Sequence, residues 1–189
     1  LGEGSTTLTA QQIAEKLDFY GSYFDVNIDR DYAYVSFCSL SKFFAPTVEV
    51  AREIVLHPTF PQNELNVYRS KRKQSLAVER KKVDVQSREL FAKALFGESH
   101  PYGISADESH YDSLERDDLM SLYEELYTAQ NCFVVCSGRI DNEVLSSIAS
   151  IVEQLPSGEC REVSFPQCKT TYSLTQDSGT ALQASIRIG

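Results

Sequence analysis

Hydrophobic and polar positions along the chain alternate between two periods. Ile13, Ala14, Leu17 and Tyr20 recur at helical spacing, Thr9 followed three positions later by Gln12 is a capping-box pair, and Gly21 stands where a C-terminal glycine would end the last turn. A helix is therefore predicted over Ala10–Tyr20. The period then drops to two: Phe24, Val26 and Ile28 share one side of a run from Ser22 to Ile28, and Ala33, Val35 and Phe37 share one side of a run from Tyr32 to Leu40. The polar Asp29-Arg30-Asp31 between them predicts a hairpin. Helical spacing returns over Phe43–Leu56 with Val48, Ala51, Ile54 and Val55; Pro46 is tolerable there only in the first turn, and Pro58 stops the helix.

A long polar helix is predicted from Pro61 to Lys82 and an apolar one from Val85 to Phe96, followed by a loop from Gly97 to His110 with Pro101 and Gly103 as turn residues. Leu114–Tyr127 reads as an acidic helix turning Leu119, Leu122, Tyr123 and Leu126 to the core, and Asn131–Gly138 as a buried strand. Asp141 caps a further helix through Val144, Leu145, Ile148, Ile151 and Val152, and the runs Lys169–Thr175 and Ala181–Ile188 read as two last strands. Hairpins rather than strand-helix-strand crossovers predict an α+β fold, an antiparallel sheet with helices packed on one face. Residues 1–166 are expected to form that domain, and residues 167–189 to begin a next part that is cut short. A start at Leu1 and an end inside an alternating run suggest a piece of a longer protein.

Composition changes this picture little. A compact domain of 189 residues buries roughly 70% of its extended surface, so it needs no staples. No apolar run approaches the roughly 20 residues of a membrane-spanning helix. A net charge of -9 argues against a nucleic-acid partner, because affinity for phosphate backbones comes from a basic excess. The charge is segregated: Arg69, Lys71, Arg72, Lys73, Arg80, Lys81 and Lys82 crowd one segment, and Asp107, Glu108, Asp112, Glu115, Asp117, Asp118, Glu124 and Glu125 another, which reads as two solvated helical faces of opposite sign that are free to lie near each other. Five cysteines with no CxxC pair do not make a disulfide framework, although a bridge between Cys160 and Cys168 stays open. Cys38, Cys132 and Cys136 sit in strand-like runs, where a thiol packs as a small hydrophobe.

Candidate chemistry is sparse. There is no Gly-x-Ser-x-Gly elbow, no P-loop and no dinucleotide fingerprint. His57 and His100 each precede proline and His110 lies in an acidic stretch, so all three read as turn histidines partly exposed to solvent rather than zinc ligands. Glu64, Glu79 and Glu89 fall on helices rich in basic neighbours, a setting for solvated salt bridges.

Five segments in order nevertheless carry a resemblance: Leu1-Gly2-Glu3-Gly4-Ser5, Ile13 to Gly21, Pro58-Thr59-Phe60-Pro61-Gln62-Asn63-Glu64-Leu65, Leu95 to Gly103, and Asn131 to Gly138. Over nearly its whole length the chain resembles the pitrilysin/insulinase family of zinc metallopeptidases, which includes the mitochondrial processing peptidases. The resemblance implies repeated α+β domains paired as two halves around a chamber that binds unfolded peptide. It also implies zinc, held in a catalytic domain by a His-x-x-Glu-His helix and a glutamate on a later helix; such zinc lowers the pKa of bound water to about 7. The zinc-binding helix would lie before Leu1. Aligning Asn63-Glu64-Leu65 onward places Ser75 at the later glutamate's position, beside Gln74, with Glu79 four residues on as a substitute that would disturb the match at Phe96-Gly97.

For this chain the resemblance implies a non-catalytic domain or subunit that forms a wall of the chamber, with a catalytic pitrilysin-type domain or subunit and unfolded peptide as partners and zinc in that catalytic partner. The family's substrate-contacting residues of this half would lie beyond Gly189, so no catalytic, metal or substrate-binding residue is assigned. Two alternatives stand beside this: a fragment of a catalytic domain completed by Glu79, or a non-proteolytic scaffold subunit of the same fold. Compartment and substrate are not legible.

Overall fold

Thr9 and Gln12 close the predicted box. The Thr9 hydroxyl accepts from the Gln12 amide at 3.2 Å while the Gln12 side chain accepts from the Thr9 amide at 3.0 Å, so two orphan donors at the start of helix α1 (Ala10–Tyr20) are satisfied reciprocally. Gly21 ends it in the left-handed region at φ 60°, with its amide donating to Asp18 and that of Ser22 to Leu17. The computed structural model describes residues 1–160, 163–168, 170–177, 179 and 181–189.

Strands β1 (Tyr23–Ile28) and β2 (Ala33–Cys38) pair antiparallel in the register the alternation demands: Phe24 opposite Phe37, Val26 opposite Val35, Ile28 opposite Ala33. Asp29 makes the turn, its carboxylate accepting from the amides of Asp31 at 2.8 Å and Tyr32 at 2.7 Å. A 3-10 turn at Ser41–Phe43 leads into α2 (Phe44–Leu56), with Pro46 in its first turn as expected. Ile13 and Leu17 of α1 meet Val50 and Ile54 of α2, and Phe24 and Phe37 pack on them from the hairpin with ring centroids 5.0 Å apart. Helices thus cover one face of the hairpin, and the fold is α+β.

Helix α3 (Gln62–Glu79) is followed by α4 (Val83–Phe96), a 3-10 turn at Pro101–Gly103, α5 (Glu108–Ser113), α6 (Arg116–Leu126), a 3-10 turn at Ala129–Asn131 and α7 (Asn142–Val152). Two compact units emerge. The first holds residues 1–65 and 115–162, with α7 packed on α2; the second holds residues 66–114 and 163–189.

Four expectations need correction. Helix α5 begins inside the predicted loop and runs past its end, because the Asp107 carboxylate caps the amides of Ser109 at 2.8 Å and His110 at 3.3 Å. Leu122 of α6 is 50% exposed rather than turned to the core. The run Cys132–Gly138 is extended at Cys132 but joins no ladder among the described residues; Phe133, Val134 and Val135 are 68%, 53% and 80% exposed, and Cys132 is exposed with them. The runs 170–175 and 181–188 likewise form no ladder among the described residues, and Lys169 lies outside them. Alternation makes a segment fit for a sheet, but a strand exists only where a neighbour takes up its backbone donors and acceptors. Cys160 and Cys168 are both free thiols.

Candidate functional site

Two of the segments that carry the resemblance, Leu1–Ser5 and Pro58–Leu65, meet at the entry to α3. Thr6 donates its amide to His57 at 3.0 Å and Thr59 donates to Gly4 at 3.1 Å, tying the glycine-rich start to the Pro58–Leu65 segment. Phe60 is the only described non-glycine residue with a left-handed φ, at 45°. It is held there by the Arg116 guanidinium, which reaches the Thr59 and Phe60 carbonyls at 2.9 and 3.1 Å, and by Tyr123, whose ring lies edge-on at 6.0 Å. The Tyr123 hydroxyl in turn donates to the Val55 carbonyl at 2.8 Å.

Glu53 on α2 is the anchor of the same loop. Its carboxylate accepts from the hydroxyls of Thr7 and Ser5, and the Thr7 bond first, then the Ser5 bond and the charge of His57, holds its pKa below the ordinary carboxylate value against the opposing push of burial. A groove beside it, lined by Lys16, Tyr20, Glu49 and Val50, has both carboxylates engaged, since Glu49 pairs with Arg52 at 3.4 Å.

Ser75 is exposed on α3, with Gln74 exposed beside it and Glu79 half-buried as the last residue of the helix. The basic block around them is spent inside its own unit. Lys73 reaches the Asp112 carboxylate at 2.7 Å, Arg69 the Asp112 carbonyl, and Arg80 the Ala106 carbonyl at 2.8 Å. The Arg72 guanidinium is held above its ordinary value chiefly by the Tyr111 hydroxyl and more weakly by the Glu79 carboxylate. The basic and acidic segments do lie near each other: four cations of α3 and the turn after it clamp residues 106–112.

This donor set does not fit a zinc ion. The Ser75 hydroxyl is neutral and the residues one turn before it are Lys71 and Arg72, cations that repel a metal ion. Among the described residues no group of three or more His, Cys, Asp or Glu side chains gathers at metal-binding distance.

The histidines divide. His57 is exposed at the end of α2, and His110 is exposed with Nδ1 accepting from the Asp107 amide at 3.0 Å. His100 is not a partly exposed turn histidine: it is 5% exposed, its ring 5.1 Å from both Phe96 and Phe165 and 5.2 Å from Tyr102, with Nδ1 accepting the Tyr102 amide at 3.1 Å. Phe96 and Tyr102 flanking it in sequence were the available signal for a packed ring. Nothing in the sequence marks Glu53 or Arg116, whose partners lie 46 to 57 residues away.

No protein-family model matches the chain. In sequence it is similar to an uncharacterized zinc protease, YmxG, of Bacillus subtilis, at 22% identity over 147 residues, which is 77% of this chain and 36% of that protein. In fold it is similar to a peptidase M16 inactive domain from Pseudomonas fluorescens, with a TM-score of 0.81 at 22% identity over 89% of this chain and 42% of that one. A protease from Helicobacter pylori gives 0.72 at 13% identity over 90% and 42%, and pitrilysin 0.69 at 17% over 88% and 19%. The chain spans less than half the length of each of these relatives. The resemblance to the pitrilysin family thus holds in sequence and in fold, and a structure named as an inactive domain shares that fold.

Proposed function

We propose that this chain is part of a pitrilysin-type zinc metallopeptidase and that, as its non-catalytic domain or subunit, it forms one wall of the chamber that binds unfolded peptide. The observation that carries this is Ser75. On the exposed side of α3, a neutral hydroxyl stands where the family resemblance places a ligand carboxylate, with lysine and arginine one turn before it. The likeness in fold to an inactive peptidase domain supports the same assignment. In this reading zinc belongs to a catalytic domain or subunit paired with this one, and residues 167–189 begin the next part of the same domain or repeat.

Zinc content and peptide cleavage of the chain, and of its Glu79→Gln variant, test the assignment. Neither protein is expected to hold stoichiometric zinc or to cleave peptides unaided. Stoichiometric zinc that Glu79→Gln abolishes with the fold intact would overturn the assignment in favour of a catalytic fragment. Pairing with a His-x-x-Glu-His-bearing partner to give peptidase activity would support it, and stable assembly with complexes that hold no peptidase would favour the scaffold.

A further inference from the structure

Helix α5 has no apolar anchor. Glu108, Ser109, His110, Asp112 and Ser113 are exposed, Tyr111 is half-buried, and none of its six residues is buried. A helix this short does not hold its shape alone, because nucleating the first turn costs more than so few hydrogen bonds return. The Asp107 cap offsets only part of that cost. Helix α5 therefore exists because something outside it keeps residues 106–113 in place.

That something is charge. Arg69 and Lys73 stand four apart on α3 and Arg72 three from Arg69, so the three share one side of the helix, with Arg80 in the turn after it. Arg80 holds the front of the segment through the Ala106 carbonyl at 2.8 Å. Arg69, Arg72 and Lys73 hold its back, on the Asp112 carbonyl, the Tyr111 hydroxyl and, at 2.7 Å, the Asp112 carboxylate. The Asp112 side chain is 59% exposed and that of Lys73 32%, so dissolved salt reaches the pair. At about 1 M salt the screening length falls to about 3 Å, close to their separation. Burial of an apolar residue such as Val85 on α4 is not screened in this way.

We propose that residues 106–113 are a strap buckled onto α3 by ions, which ionic strength opens: α5 melts, Arg69, Arg72 and Lys73 turn to solvent, and the rest of their unit stays folded. Opening changes the charge presented by the helix that carries Ser75. The strap goes beyond the chamber-wall reading and does not depend on it.

Amide exchange of the full chain, read by mass spectrometry on peptides covering 104–114 and 83–96, tests the strap at about 0.05 M and about 1 M sodium chloride. Exchange over 104–114 should quicken about tenfold or more with salt, while exchange over α4 changes less than about twofold. Asp112→Asn and Lys73→Met should each show the fast exchange already at low salt. Glu98→Gln, which breaks the exposed Lys93–Glu98 pair of the same unit, should leave 104–114 slow at low salt. Should one variant unfold, seen as fast exchange over 83–96 as well, the salt response of the parent and the other variant decide. Exchange over 104–114 that ignores salt, or that quickens only together with α4, would overturn the strap, as would Glu98→Gln acting like Asp112→Asn.

Discussion

The Arg116 guanidinium donates from Nη2 to the Thr59 carbonyl at 2.9 Å and from Nε to the Phe60 carbonyl at 3.1 Å, so the start of α6 holds the entry to α3 across more than fifty residues of chain. Two charge-assisted bonds to carbonyls flanking a left-handed phenylalanine are not replaced by water without letting the bend relax. Arg116→Ala should therefore cost about 2 kcal/mol, read as a lowered urea midpoint, while Arg116→Lys, which cannot span both carbonyls, should recover less than half of the loss.

Gly103 and Gly97 define a second close approach. A Cβ on Gly103 would stand 1.8 Å from the Gly97 carbonyl oxygen, whereas one on Gly21 would meet nothing within 4 Å and suffer only its φ of 60°. Gly21→Ala should cost about 1 kcal/mol through backbone strain alone. Gly103→Ala should cost on the order of 3 kcal/mol, because the turn must open, and amide exchange should speed selectively at residues 97–103.

Glu53 predicts an acid sensitivity. Its folded-state pKa lies below the ordinary 4.5, chiefly through the Thr7 hydroxyl, so its contribution is fully present above that value and is lost as pH falls through the lowered folded-state value. Thermal midpoints of the parent chain and Glu53→Gln should therefore converge on acidification below about pH 4. A gap that stays constant from neutral pH to pH 3 would refute the assignment of Glu53 as the anchor.

His100 separates packing from hydrogen bonding. His100→Phe keeps a ring between Phe96 and Phe165 but leaves the Tyr102 amide without its acceptor, a loss of about 1–2 kcal/mol. His100→Ala forfeits the ring contacts as well and should cost about 3 kcal/mol or more. Denaturant unfolding of the two variants gives the order; equal losses would show that the stack contributes nothing.

How much of this was legible differs element by element. Helix α1 was readable to the residue, because capping box, apolar face and C-terminal glycine all act within a few positions of one another. The hairpin register was readable for the same reason: only one alignment puts Phe24, Val26 and Ile28 opposite Phe37, Val35 and Ala33. Helix α5 was missed, since Asp107 capping two amides is a short signal inside a run of turn residues.

Local order, then, was decided by the sequence alone: which segments are helical, which faces are apolar, and which residues cap and break them. Tertiary structure alone decided what those segments do to one another. It turned a run of cations into a clamp on residues 106–112, a turn histidine into a buried ring, and Glu53 and Arg116 into anchors. It also left Phe133, Val134 and Val135 exposed where alternation had promised a buried strand. The physical reason is one of range. Caps and periodicity are settled by neighbours a turn away, whereas burial, ladder pairing and ion pairs depend on groups brought close only when the chain has folded.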